Sequence, residues 1–378
     1  MKKLIALFLS LMMVMTLLAG CGQGETQSDT TQGDKPQDNT AQTDSEPAQD
    51  DGQTYTIQLA GSVAEDHPIT LGLYKFEELA EEYSDGRIQV DVYPNGQLGS
   101  NREYYEQCQQ GNIQMAEGGA VVLANFTDKF KFMQLPYLFN SRESVQNFLN
   151  SETGKALSLE IAEETGIYPL VYFENGWQAV TNSSHEIRTP EDMKGLKIRT
   201  QENDILLEIY TQMGANPIPM AFSELFTAMQ QHTIDGQVNP ALIASTGNYD
   251  EVQEYITDVN AVYDATAISI NYDFYKSLPE DLQAVVDQAA QEACAYQLQL
   301  SADEEESAFQ ALADGGMTVT YLTDEERAVF QESTAGIMDW FVAQNVEPNL
   351  DAYLEEIQAC NDKFTNGQLE AVTGADLS

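Results

Sequence analysis

The sequence predicts an α/β protein of two lobes, with parallel or mixed sheets, strands that cross between the lobes and a long helical region toward the C-terminus. Three observations carry this. From residue 54, stretches of two-residue alternation take turns with amphipathic helical stretches. The same order begins again after residue 166, and the run "ITDVNAVYDATAISINYDFY" at 256–275 is β-rich and long enough to pass from one lobe to the other. A β-α-β-α-β order places helices on the faces of a mostly parallel sheet.

In the first half, "YTIQLAG" (55–61) reads as a strand and "HPITLGLYKFEELAEEYS" (67–84) as a helix with one apolar face. "RIQVDVYP" (87–94) is a second strand, closed by the turn "PNGQLG". "NREYYEQCQQG" is helical and ends at Gly111, a residue suited to a left-handed cap. "IQMAEGG" (113–119) is a third short strand. In the second half, "GIYPLVYFENGWQAVTN" (166–182) gives two strands about Asn175-Gly176, and "TPEDMKG" a short helix with Thr189 as N-cap and Pro190 at its first position. A strand at 196–200, a helix over 202–213, the helix "AFSELFTAMQQH" (221–232) and the strand "IDGQVNP" (234–240) follow. Beyond "LPEDLQ" (278–283) the chain reads as mostly helical. Lobe 1 is expected to comprise 54–175 plus about 265–304, and lobe 2 to comprise 176–264 plus about 305–378.

The first residues, "MKKLIALFLSLMMVMTLLAGCG", carry two lysines, an apolar run and small residues before Cys21. That is the order of a secretory signal over 1–20, too short for a well-flanked membrane span. Leu18-Ala19-Gly20-Cys21 resembles a bacterial lipobox, which implies cleavage before Cys21 and lipidation of its thiol, so a protein anchored at the outer face of the cell membrane. Residues 22–53 hold no Val, Ile, Leu, Met or aromatic side chain. Such a segment cannot bury enough surface to offset its ordering entropy, so 21–53 is read as a disordered tether. Its reach is about 30 Å.

With 61 acidic against 17 basic side chains and a formal charge of -44, the surface repels phosphate backbones, and nucleic acid is excluded as a partner. Chemistry is sparse. The three histidines, at 67, 185 and 232, lack H-E-x-x-H spacing, and no G-x-S-x-G, G-x-x-x-x-G-K-[ST] or G-x-G-x-x-G stretch occurs. Cys108, Cys294 and Cys360 show no C-x-x-C spacing and read as structural thiols. No catalytic residue, metal or cofactor is assigned. A secreted, motif-poor chain favours binding over turnover.

Five stretches, taken in order, resemble one family: "YPNGQLG" (93–99), "LPYLF" (135–139), "TPEDMKGLKIRT" (189–200), "GANPIPMAFSELFTAMQQHTIDGQVNP" (214–240) and "EVQEYIT" (251–257). They are similar to the solute-binding component of a tripartite ATP-independent periplasmic (TRAP) transporter, the DctP family. The resemblance implies a periplasmic-binding-protein-like fold (type II-like) that closes over an organic acid and delivers it to membrane permease subunits. It also implies that Arg199, at the end of the strand after "KGLK", clamps the ligand carboxylate. A guanidinium fits that role because its planar fork matches two carboxylate oxygens and stays charged when desolvated.

The same comparison makes Asn239 a ligand-contacting amide and Glu117 a partner for ligand hydroxyls. Trp177 and Phe222 are candidate pocket walls, and His67 is placed near the cleft edge. The sequence departs from the family at three positions. Gln178 stands where relatives carry a second arginine, Val238 replaces an acid before Asn-Pro, and His232 replaces a glycine. Loss of the second cation points to a monocarboxylate, such as a sugar acid, unless Lys75 or Arg102 fills the gap. Two other functions stay open at this stage: a ligand-sensing lipoprotein that reports to a receptor, and a secreted enzyme acting on acidic sugars.

Overall fold

The computed structural model describes residues 52–344 and 346–365. The expected signal peptide, Cys21 and residues 22–51 of the tether lie outside them. In chain order the strands are β1 (Tyr55–Ala60), β2 (Ile88–Tyr93), β3 (Met115–Gly119), β4 (Ile167–Trp177), β5 (Ala179–Asn182), β6 (Lys197–Thr200), β7 (Asn216–Pro219), β8 (Gly236–Asn239), β9 (Tyr255–Thr257), β10 (Tyr263–Asn271) and β11 (Thr318–Thr320). They form two sheets, ordered β2-β1-β3-β10-β4 and β11-β9-β5-β8-β6-β7. This is the two-lobed mixed α/β architecture expected from sequence. The strands β1, β2 and β3 are parallel, as are β6, β7 and β8. The antiparallel members are β10, between β3 and β4, and β5, between β8 and β9.

The chain passes between the sheets three times. Gln178 alone separates β4 from β5, so the break falls there and not at Asn175-Gly176. Residues 258–262 return the chain from β9 to β10. The helix Glu280–Asp314 then packs on Pro68–Tyr83 and β4 beside the first sheet, and on Ala241–Thr246 beside the second. Its buried stripe is apolar from Leu282 to Cys294 and resumes at Ala308 and Leu312. Between them lie the buried polar residues Gln297 and Ser301. The Gln297 amide accepts from Glu174 N–H (2.9 Å) and donates to Glu174 C=O (2.7 Å). The polar interruption therefore satisfies backbone groups of β4 that would otherwise be buried unpaired.

The sequence reading omitted β7, whose "NPIP" carries two prolines, and the three-residue β11. It also omitted the helices Arg142–Leu149 and Glu152–Thr165. The C-terminal helix Leu350–Thr365, grouped by sequence with the second set of strands, packs instead on Arg142–Leu149, with Tyr353 against the rings of Phe132 and Phe148. Cys108, Cys294 and Cys360 are free, buried thiols. Among the described residues no helix is long and apolar enough to cross a membrane.

Two caps explain residues that sequence left open. His232 follows the C-cap of Phe222–Gln230 with φ 53, while His232 N–H bonds Met229 C=O and Thr233 N–H bonds Ala228 C=O. This is a Schellman-type ending, for which glycine is the unstrained residue, and histidine here bears the left-handed backbone. His67 is not at an open edge. It is the fully buried N-cap of Pro68–Tyr83, its Nδ1 accepting from Ile69 N–H at 3.1 Å. That bond requires the neutral ring, and burial pushes its pKa down to about 3.

Because the folded state binds the His67 proton less tightly than the unfolded chain, stability is lost as pH falls from about 6.5 toward 3. An His67→Asn variant keeps a cap acceptor but cannot titrate. Urea unfolding at pH 7 and pH 5 should show wild type losing about 2 kcal/mol more than the variant. Equal losses would remove His67 as an acid-sensitive cap.

Candidate functional site

The C-terminal ends of the two parallel strand sets face a common cavity, where ligand sites of open α/β sheets form. From the first sheet come Ser62 and Val63 after β1, and Glu117 and Gly119 of β3. From the second come Arg199 of β6, Met220 after β7 and Asn239 of β8. Asn175 of β4 and Asp264 of β10 add the crossing strands. The empty space is about 670 Å³, counted to its open mouth.

Arg199 is 1% exposed. Its Nε donates to Met220 C=O at 2.9 Å, which fixes the guanidinium plane, and its Nη1 is buried without a partner. No carboxylate is paired with it among the described residues. Desolvation lowers its pKa to about 10, opposed by Tyr249, Glu202 and Asp264, so it stays charged at neutral pH. The helix Phe222–Gln230 starts at the same wall with Ala221 as N-cap and no side-chain cap, which adds the positive end of a helix dipole.

Two buried acids line the same cavity. Glu117 Oε2 accepts from Ser62 N–H (2.8 Å) and Ser62 Oγ–H (2.9 Å); burial raises its pKa and these bonds oppose the rise. Asp264 is 2% exposed. Its Oδ2 accepts from Asn175 Nδ2 at 2.9 Å, and burial pushes its carboxyl up to about 7. A β-bulge builds this pair. Asp264 lies opposite Gly176 and Ala265 opposite Glu174, which leaves Asn175 as the extra residue. Gly176, at φ 118, takes a conformation that other residues adopt rarely and under strain.

Residues 59–345 match the family model of DctP, the bacterial extracellular solute-binding protein, family 7. The chain belongs to this family. It is 36% identical over 288 residues to the C4-dicarboxylate-binding periplasmic protein DctP of Rhodobacter capsulatus, covering 75% of this chain and 85% of that one. To the 2,3-diketo-L-gulonate-binding periplasmic protein YiaO of Escherichia coli K12 it is 30% identical over 269 residues, covering 71% and 81%. Its fold is similar to the crystal structure of the sugar acid binding protein DctPAm from Advenella mimigardefordensis in complex with galactonate. That likeness has a TM-score of 0.78 at 30% identity and covers 82% of this chain and 99% of the other.

Of the residues named from sequence, this family 7 chain brings Arg199, Asn239, Glu117 and Phe222 to the cavity. The other three are not among its lining residues. Gln178, fully buried, lies between β4 and β5 and accepts from Tyr210 Oη–H at 3.1 Å. Trp177 packs edge-on against Tyr263 (5.2 Å, 78°) and lines a separate hollow with Pro240 and Tyr321. His67 caps its helix. Val238 packs in the core and is not among the residues lining the cavity. Sequence reasoning missed Asn175, Gln201 and Asp264. The available signal was an acid inside "AVYDATAISI", a run apolar enough to be buried on both faces.

A buried charge without a counter-ion costs stability when the site is empty. Ligand-free Arg199→Met should therefore resist urea better than wild type, by on the order of 1–3 kcal/mol. A ligand-free variant less stable than wild type would contradict this account of the guanidinium.

Proposed function

We propose that this protein is the extracytoplasmic, lipid-anchored receptor of a TRAP transporter and captures a polyhydroxylated monocarboxylate, an aldonic or uronic acid, for its membrane permease. The observation that carries the reading is the Arg199 guanidinium, buried, unpaired and facing a cavity that also holds Glu117 and Asp264. A ligand carboxylate completes the guanidinium and lies near an uncapped helix N-terminus. A second carboxylate would meet Glu117 and Asp264 instead of a cation. The sequence argument for one carboxylate leaned on Gln178; the two acids now support it independently.

The candidate extra cations do not change this balance. Lys75 pairs with Glu78 at 2.9 Å and is not among the lining residues. Arg102 reaches the lining but is 57% exposed and pairs with Glu106 at 3.1 Å. Relatives are named for a C4-dicarboxylate and for a diketo-gulonate, so relatedness alone leaves both ligand classes open. The lining, rich in buried acceptors beside a single buried guanidinium, favours the second. Closure of the two lobes, gripped by three crossings, would bury the ligand, and release to the permease follows without chemical change.

Titration calorimetry with gluconate, galacturonate and succinate tests the ligand class. The sugar acids should bind and be recovered unchanged, with succinate far weaker. Arg199→Ala should lose on the order of 10²–10³-fold in affinity, and Arg199→Lys should also bind poorly because a point charge lacks the fork. Tight succinate binding with inert sugar acids would overturn the monocarboxylate reading; near-native affinity in Arg199→Ala would overturn the clamp.

The anchor has its own test. Cys21→Ala should abolish incorporation of labelled fatty acid and shift the protein out of the membrane fraction or leave it unprocessed. A labelled, mature Cys21→Ala protein would refute lipidation at that thiol.

A further inference from the structure

We infer that Asp264, together with Asn175 and Gln201, is the hydroxyl-reading wall of the cavity and sets the preference for hydroxylated over plain carboxylic acids. This rests on the reading of the cavity as a carboxylate receptor site. All three residues line it, beside Arg199. Asn175 Nδ2 donates to Asp264 Oδ2 at 2.9 Å and Gln201 Nε2 approaches the same oxygen at 3.4 Å. With the amide nitrogens directed at the acid, three oxygens remain buried without a donor: Asn175 Oδ1, Gln201 Oε1 and Asp264 Oδ1. Buried acceptors left unpaired are costly, so the wall is incomplete without a ligand that supplies O–H or N–H groups.

The chemistry selects hydroxyls from these. An amide oxygen accepts and does not donate, so a ligand carboxylate or ether leaves Asn175 and Gln201 unsatisfied. A hydroxyl gives a proton to either amide oxygen. It also satisfies Asp264 Oδ1 whether that carboxyl is ionised or protonated, because a hydroxyl donates and accepts. An ammonium group suits only the ionised form. Glu117, which lines the same cavity and has its Oε2 already taken by Ser62, makes a further anionic ligand group unfavourable near this wall. The guanidinium and the acceptor wall thus divide the ligand into a carboxylate end and a polyol end.

The test is the ratio of affinities for gluconate and hexanoate, two six-carbon monocarboxylates that differ in hydroxyls, measured by calorimetry on full-length wild type, Asp264→Leu and Asp264→Asn. Wild type should favour gluconate strongly. Asp264→Leu should shrink the ratio about ten- to hundredfold by weakening gluconate alone. Asp264→Asn, nearly isosteric, should lose part of it and covers the case in which the leucine variant fails to fold. An unchanged ratio in either folded variant would overturn the inference while leaving the Arg199 clamp in place. Tighter binding of glutamine than of gluconate to wild type would also overturn it, assigning the wall to an ammonium. Wild type that binds neither gluconate nor hexanoate, but binds succinate, would remove the monocarboxylate reading and this inference together.

Discussion

Arg199 is held at the junction of the two sheets by a bond to one backbone carbonyl, and the cavity is organised around the charge confined there. A guanidinium can be kept in such a place because it remains protonated even when desolvation lowers its pKa. In a chain with 61 acidic and 17 basic side chains, the average field attracts cations. Recognition of an anion must then be local and short-ranged, provided by one side chain, one helix terminus and the exclusion of water. Parallel strands meet this requirement. They deliver their C-terminal ends, and the side chains carried on them, to the same place from two sheets.

The connections between the sheets serve the same arrangement. At Gln178 the crossing strand leaves no slack, because a single residue separates one sheet from the next. The long helix contributes a second restraint through Gln297, whose amide completes the backbone of Glu174. Glu174 itself accepts from Tyr263 Oη–H at 2.7 Å and lies within ion-pair distance of Arg142. Around Glu174 the buried polar groups are satisfied by these partners, whereas Gln178 Nε2 at the crossing itself is buried without one. In the cavity, polar atoms are buried and unsatisfied.

How much of this was legible in the sequence depends on how local each determinant is. β1, β2 and the helix Pro68–Tyr83 follow from periodicity, and the short turn of helix at Pro190–Met193 from Thr189 before it and Pro190 at its start. β7 escaped because its two prolines argue against a strand, although β6 pairs with it in parallel register. The resemblance placed Arg199 and Asn239 at the cavity through motif position, but it misplaced Gln178 and Trp177, whose surroundings depend on how β4 passes into β5. Asp264 escaped for another reason. Its role depends on a bulge 89 positions away in sequence, where Asn175-Gly176 reads as a turn but lies inside a strand.

The bulge at Asn175 also affects how such a receptor can change. A bulged residue stands outside the hydrogen-bonded ladder, so exchanging its side chain does not disturb strand pairing. Asp264, its partner, contributes to the ladder through its backbone, leaving the carboxylate answerable to the cavity. Descendants of this chain can therefore alter what they import by substitution at 175 and 264 while the sheet folds as before. The glycine that follows, Gly176, has no such freedom. The novelty available to the protein is concentrated beside a residue whose replacement strains the backbone.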